Sequence, residues 1–323
     1  MIYTENIILA KTANRLKGTG GIFMSNVKTT KNMSEATALT HGGVFHADEV
    51  MATVILSKIF KDLKVSRTFN VPADFADDVI VYDIGEGKFD HHQKGGNGCR
   101  ANGVPYASAG LIWKEFGPDI CSKTADPKAV WQMVDREIIQ GIDAQDNGTL
   151  PDLDYPARPL SVSMAIRAFN PTWDYKGDTD EAFLRAVNFA EQIFDNCFAK
   201  AAATAKAKIL VEEAIRKTTG PVMVLDEYLP WIEFLPHNKE ANDILFVVFP
   251  SLRGGWNWQC VPGSNGRFSN RKSVPESWRG LRDEAYQKVT GVKTATFCHP
   301  GGFIGGAETR EAAIELARIA AES

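Results

Sequence analysis

The sequence predicts an α/β protein of two domains: an N-terminal domain on a parallel sheet and a smaller C-terminal α+β domain, joined by a long helix. Three observations carry this. Between residues 36 and 82, short β-prone runs alternate with a run of helical period, the order expected of a parallel sheet with crossover helices. From Thr179 to Lys217 the chain holds no proline or glycine and is rich in Ala, Glu and Lys, so one or two long helices occupy 179–218. At 323 residues the chain exceeds the usual size of one core, and beyond Gly220 the pattern turns to strands with two later helices. Residues 33–178 are therefore assigned to the first domain and 219–323 to the second.

Composition narrows the class. With 44% hydrophobic and 24% charged residues the chain reads as an ordinary soluble protein. No apolar run approaches the roughly 18–20 residues of a membrane span, so no membrane partner is expected. A net charge of −4 gives no general grip on long nucleic acid, but it leaves room for a short polyanion held by metal and a few arginines. The five cysteines (Cys99, Cys121, Cys197, Cys260, Cys298) are dispersed without a Cys-x-x-Cys pair, which argues for reduced thiols. Residues 1–32 carry five basic residues against Glu5 and lack the apolar core of a secretory signal. They are expected to be a disordered extension, with Met33 as an alternative start; organellar targeting is set aside and a cytoplasmic location expected.

Taken in order, Ala36 to Thr40 is a strand running into the loop at His41-Gly42-Gly43. Apolar residues from Asp48 to Lys61 recur at helical spacing. Val65 to Phe69 and Val79 to Tyr82 are further strands, the second apolar enough to be covered on both faces. The glycine-rich connection Lys94 to Gly103 is expected to be mobile or close to substrate. Ser108 opens a helix through Phe116 that Gly117-Pro118 should close. Another helix runs from about Pro127 to Gly141 and delivers Asp143 and Asp146, followed by a loop over Leu150 to Pro159. In the second domain, strands are expected over Pro221–Leu225, Ile244–Pro250, Gly255–Val261 and Ala295–Cys298, with helices over Leu281–Val289 and Glu308–Ala321.

Only six histidines are present, and four lie in two clusters, His41-x4-His46-x-Asp48 and Asp90-His91-His92. In parallel sheets ligands bind outside the carboxyl ends of the strands. His41, His46 and Asp48 follow one such end and Asp83 follows another, where a carboxylate has no packing reason to be. Imidazoles and carboxylates together suit Mn, Fe, Zn or Co, and Mn better than Ca. The residues thus point to a divalent-metal hydrolase.

These motifs resemble the DHH phosphoesterase superfamily, and more closely one branch, the MYG family (uncharacterised protein family 0160, often labelled metal-dependent protein hydrolase). The resemblance rests on Thr40-His41-x-Gly43-x-Phe45-His46-x-Asp48-Glu49, Asp90-His91-His92-Gln93, Ser108-Ala109-Gly110-Leu111-Ile112 and Asp143-Ala144-x-Asp146-Asn147-Gly148. It continues in Asn170-Pro171-Thr172-Trp173, Trp278-Arg279-Gly280-Leu281-Arg282-Asp283-Glu284-Ala285 and Gly302-Phe303-Ile304-Gly305-Gly306, and so spans about residues 36–320. It implies a DHH-type metal-binding domain, a substrate-binding C-terminal domain and a 3′–5′ exonuclease acting on RNA or short oligonucleotides.

By the same resemblance His41, His46, Asp48, Asp83 and His91, with one of Asp143 or Asp146, would hold two divalent ions. These are expected to be Mn²⁺, with Mg²⁺, Zn²⁺ or Co²⁺ as substitutes. The choice between the two later aspartates stays open, with a slight lean to Asp143. His46 stands where most of the superfamily has an aspartate, so metal preference does not carry over cleanly. His92 would meet phosphate, and Asp90 would orient a histidine, as carboxylates do beside ligating imidazoles. Gly302, Gly305 and Gly306 resemble a glycine-rich substrate loop leading to a helix N-terminus able to take an anion. Ser108, Arg271 and Arg310 join them as substrate-binding candidates, with Arg279 and Arg282 as further phosphate contacts. Trp256 and Trp258 alternate on one strand, where core packing is preferred over base stacking.

A short single-stranded RNA is thus the expected partner, and a homodimer is allowed. A phosphoanhydride hydrolase of the pyrophosphatase kind is the rival enzyme, favoured by a small, all-charged pocket. A non-catalytic metal- or nucleic-acid-binding module is the rival outside enzymes, against which the intact motifs count. Nothing resembles a peptidase nucleophile.

Overall fold

In the computed structural model, which describes residues 26–72, 78–151, 156–157, 159–264 and 269–323, the chain enters its first sheet earlier than its composition suggests. Four strands, Val27–Thr29 (β1), Ala38–His41 (β2), Leu63–Thr68 (β3) and Ile80–Val81 (β4), pair in parallel in the order β1-β3-β2-β4, with the helix Ala47–Ile59 (α1) between β2 and β3. β1 lies within the expected extension and corrects it. Val27 is buried opposite Leu63, and the Asn26 amide donates to the carbonyls of Phe60 and Lys61. A basic average over 32 residues hides one apolar residue that completes a sheet edge. Residues 1–25 of that extension lie outside the described residues.

β2 sits inside the sheet, flanked by β3 and β4, so the carboxyl ends of these strands bring His41 beside Thr68 and Asp83 one turn beyond β4. α1 is buried from Ala47 to Ser57, all round, because it packs between the sheet and later helices.

Next come Ser108–Cys121 (α2), Pro127–Val134 (α3), Gln140–Asp146 (α4) and Val162–Arg167 (α5). α2 runs through Gly117-Pro118 rather than ending there. A Cβ on Gly117 would stand 2.6 Å from Trp131 and 2.9 Å from Trp113. The glycine admits the neighbouring helix, and each tryptophan's Nε1 donates to the other's carbonyl at 3.2 Å. The helix expected to stop at Gly141 continues through a π-helical turn, Asp135–Ile139, into α4, so Asp143 and Asp146 are helical. Such turns widen a helix locally and occur often at functional sites. Half of the loop expected over 150–159, residues 152–155 and 158, lies outside the described residues.

The helix Thr179–Lys217 (α6) has the extent that the sequence predicts. The chain divides into two compact units, Met1–Ala202 and Ala203–Ser323, and the division falls inside α6. Phe183 and Phe194 of its first part pack edge-to-face against Phe45 and Trp113. Val211 and Ile215 of its last part enter the second unit's core. Among the described residues no helix is long and apolar enough to cross a membrane.

The second unit holds Val222–Val224 (β5), Phe246–Pro250 (β6), Trp256–Cys260 (β7), Asp283–Thr290 (α7), Ala295–Cys298 (β8), Ile304–Ala307 (β9) and Arg310–Glu322 (α8). Its sheet has the order β5-β6-β7-β9-β8, and all pairs but β5–β6 are antiparallel. Alternation along β6 sends Phe246 and Val248 to a core with Trp258, Tyr286 and Leu316, and Val247 and Phe249 to another with Val211, Trp231 and Leu235. Trp258 is fully buried, as core packing requires.

β9 corrects the expected glycine loop, since Gly305 and Gly306 are strand residues. A Cβ on Gly305 would stand 2.3 Å from the Trp258 ring and 2.5 Å from the Phe297 carbonyl. The side chain is absent because the tryptophan occupies its place. Gly305→Ala is accordingly expected to cost about 1–3 kcal/mol by overpacking. A thermal melt would show it, and an unchanged midpoint would mean that Trp258 has room to move.

Candidate metal centre

The site is assembled on three chain segments, each fixed by its own backbone. β2 delivers His41, and the loop beyond it is tied at three points. Gly42 N–H donates to the Thr68 carbonyl at 2.7 Å, and the Arg67 guanidinium donates to the Gly43 carbonyl at 2.7 Å. The Asn170 amide clasps both sides of Phe45, accepting from its N–H at 2.9 Å and donating to its carbonyl at 2.7 Å. His46 then leads into α1, where the Glu49 carboxylate accepts from the His46 backbone N–H at 2.9 and 3.0 Å. The same carboxylate lies 2.9 Å from His41 Nε2. Asp48 is wholly buried and accepts the first N–H groups of α2, from Ser108 at 2.8 Å and Ala109 at 2.7 Å. Anions are favoured at a helix start by the same unpaired donors and dipole.

Asp83 is the hub. Its φ of +57° is a left-handed conformation that aspartate tolerates better than most residues. One oxygen lies 3.3 Å from His41 Nε2. The other lies 3.5 Å from His91 Nδ1 and 3.6 Å from His92 Nδ1, and accepts from the Ser108 hydroxyl at 3.2 Å. His91 Nε2 is 3.0 Å from Asp146, and the His91 and His92 rings stand 4.3 Å apart. Asp90 holds His92 through its Nδ1 at 2.7 Å and its backbone N–H at 3.1 Å.

Three sets of side chains bring candidate ligand atoms within 4.8 Å of one another: His41, His46 and Glu49; Asp48, His91 and Asp146; and Asp83, Asp90, His91 and His92. The structure thus gathers His41, His46, Asp48, Asp83, His91, Asp146, His92 and Asp90. The lean to Asp143 is reversed. Asp143 is fully buried, with one oxygen accepting from Gly110 N–H at 3.0 Å and the other 2.7 Å from Arg100, which also grips Asp135. Three residues along α4 turn it away from the cluster and into a structural ion pair. Ser108 is likewise corrected from substrate contact to support, being fully buried and bonded to Asp48 and Asp83. Glu49 was missed as a candidate. Its signal is an acid three residues after the helix-leading His46, the spacing of a capping box, masked by Asp48 beside it.

Electrostatics explain what such a cluster lacks. Burial pushes the Asp48 carboxyl up, and the neighbouring charges of Asp83, Asp146 and Asp143 push it further. Burial also raises Glu49 against its bonds from His41 and His46. Burial works against a charged His41, yet its bonds to Asp83 and Glu49 outweigh this and carry its pKa up to about 11. Among the described residues no lysine or arginine is ion-paired with Asp48, Glu49, Asp83 or Asp146, whose charged partners are histidines. Buried carboxylates need compensation, and a mixed carboxylate–imidazole donor set fits a divalent cation.

In the second unit the expected anion contacts are differently employed. The Arg271 guanidinium is spent on the carbonyls of Ala241, Ile244 and Pro236, which corrects its assignment as a phosphate contact. The N-terminus of α8 is capped by the Thr309 hydroxyl, which accepts from Ala312 N–H. Arg310 lies 3.6 Å from Asp226 and over the Trp256 ring. Gly302, with φ +68°, sits against Arg279 in the turn between β8 and β9.

Fold and cluster together define an α/β protein with a carboxylate–imidazole centre, able to hold metal ions, at the carboxyl ends of a parallel sheet. The profile described as Uncharacterised protein family (UPF0160), MYG1 exonuclease, matches residues 37–321. The chain is 32% identical over 335 residues to the MYG1 protein of Saccharomyces cerevisiae, covering 92% of this chain and 98% of that protein. It is 30% identical over 344 residues to the MYG1 exonuclease of Homo sapiens, covering 95% and 91%. With the MYG1 protein of Dictyostelium discoideum it shares 32% over 319 residues, covering 88% and 96%. The chain belongs to the MYG1 family. No solved structure matches it.

Proposed function

We propose that this protein is a metal-dependent phosphodiesterase, working as a 3′–5′ exonuclease on RNA or short oligonucleotides. The observation that carries the reading is the convergence of both histidine clusters on Asp83. The exonuclease name of the human relative agrees with it. His41, His46, Glu49 and Asp83 would hold one divalent ion, and Asp48, Asp83, His91 and Asp146 a second, Mn²⁺ suiting such nitrogen and oxygen donors. Ions bound there would neutralise phosphate charge and acidify water for attack on phosphorus. His92, with a side chain 57% exposed and its Nδ1 held by Asp90, is free to offer Nε2 to a phosphoryl or leaving oxygen. The bond to Asp90 fixes which nitrogen faces outward.

Phe69 favours an oligonucleotide over pyrophosphate. Its ring is 76% exposed and lies against Gly42 and Gly43, beside His41, where a Cβ on either glycine would come within 3.3 Å of it. A bare aromatic ring next to a charged centre suits a stacked base and does nothing for an inorganic anion.

The test is to incubate metal-stripped protein with 5′-end-labelled RNA and with pyrophosphate, with and without Mn²⁺. Stepwise shortening of the RNA is expected only with Mn²⁺, and its loss is expected when His91→Ala and His92→Ala are combined. Phe69→Ala should raise KM for RNA about tenfold, within the range of one lost stacking contact. Full activity in the double variant, or faster turnover of pyrophosphate than of RNA, would overturn the reading.

A further inference from the structure

His41 and His46 stand at the two ends of a short loop, and they are held in different ways. The His41 imidazole is fixed directly, 2.9 Å from Glu49 and 3.3 Å from Asp83. His46 is exposed, and among the described residues its imidazole makes no ion pair with a carboxylate; its ring centroid lies 5.8 Å from that of His41. Where the His46 side chain points is therefore set by the backbone that carries it.

The deciding unit is the peptide between Phe45 and His46, which is planar and turns as one piece. Its N–H donates to both oxygens of the Glu49 carboxylate, at 2.9 and 3.0 Å, and its carbonyl accepts from the Asn170 amide at 2.7 Å. The Asn170 amide oxygen takes the N–H of the preceding peptide at 2.9 Å. One side chain, 125 residues away in sequence, thus pairs with Phe45 as a neighbouring strand would. The Phe45 ring is fully buried, 5.7 Å from the Phe183 ring centroid, and fixes where the residue sits. A ring anchored through one Cβ leaves the peptides on either side free to rotate, and Asn170 is what stops them. Asn170 is itself held from outside the loop, at the end of α5, where its backbone N–H and its amide donate to the Arg167 carbonyl at 3.1 and 3.2 Å. Glu49 is shared between this peptide and the His41 imidazole, so Asn170 is the support of the His46 peptide that has no second charge to serve.

We propose that Asn170 is a positioning residue: it sets the direction of His46, and so the affinity of the His41, His46 and Glu49 set for a divalent cation. Groups that support metal-ligating side chains from behind act on affinity by about 10–100-fold. This role rests on the metal-binding half of the proposed function and not on RNA cleavage.

Calorimetric titration of the full, metal-stripped chain with Mn²⁺ tests it. Asn170→Ala should weaken one site about tenfold or more and leave the other within about twofold of the parent. Asn170→Asp keeps the shape and the acceptor but removes both amide hydrogens, and should weaken the same site. In a chain carrying His41→Ala and His46→Ala only the unaffected site should remain, and adding Asn170→Ala should change nothing further. Asn26→Ala is the control. It removes a clasp of the same kind, on the carbonyls of Phe60 and Lys61 at the amino end of the same sheet, and should leave the isotherm of the parent. An unchanged isotherm in Asn170→Ala, equal weakening of both sites, or the same weakening in Asn26→Ala would overturn the role. A parent chain that takes up no Mn²⁺ overturns the metal centre and the role with it. If one site weakens as described but RNA is not cleaved, the exonuclease reading falls and the role of Asn170 stands.

Discussion

Asp83→Asn is expected to lower metal-dependent hydrolysis by roughly a thousandfold, the scale on which loss of one transition-state contact acts. Asp83 is the one carboxylate within reach of His41, His91 and His92 together. Asparagine also tolerates the left-handed φ of +57°, so the change removes charge and leaves the turn intact. Bound metal per chain, measured after dialysis against Mn²⁺, should fall with the rate. The metal-free variant should melt no lower than the parent, because Asp83 is one of the charges that push the buried Asp48 carboxyl up. A variant with normal metal content and a rate within a few fold of the parent would remove Asp83 from the centre of the site.

Arg100→Met is expected to be the most damaging single change away from the metal cluster. Arg100 is 8% exposed and bridges Asp135 to the fully buried Asp143. Even with this partner, burial carries Asp143 up to about 7, against the pull of Arg100 and the bond from Gly110 N–H. Removing the arginine leaves a buried charge without compensation, which costs about 3–5 kcal/mol and lowers the melting midpoint by roughly 10 °C. A folded-state pKa above the unfolded one means that the ionised carboxylate costs stability above that value and nothing once a proton is bound. Because Arg100 pulls Asp143 down, its loss sends that carboxyl above about 7, so the deficit of Arg100→Met should narrow as pH falls from the alkaline side towards about 7 and level off below it. Adding Asp143→Asn should recover much of the loss at neutral pH, since the two changes share one interaction. A double variant as unstable as the sum of the single ones would sink the assignment.

How far the sequence reached is clearest at particular residues. The strand before His41, the helix after His46 and the long helix Thr179–Lys217 were legible because their cues are local: apolar period, caps and the absence of breakers. The histidine clusters were legible because imidazoles and carboxylates at strand ends have few packing reasons to be there. Asp143 and Asp146 could not be separated, because both are aspartates on one helix. The choice between them depends on Arg100, 43 residues away, which claims Asp143. Arg271 and Gly305 misled for the same reason. A guanidinium looks alike whether it meets phosphate or carbonyls, and a glycine looks alike whether it cradles an anion or yields to Trp258.

The sequence alone settled which chemistry is available: an α/β frame, two histidine clusters, several carboxylates, and membership cues running through both units. Those depend on residue type and short-range period, which the chain carries locally. Only the tertiary structure decided how that chemistry is shared out. It made Asp83 the hub, recruited Glu49, and withdrew Asp143 and Arg271 into structural roles. Each of those outcomes turns on distances between residues far apart in the chain, which no local pattern records.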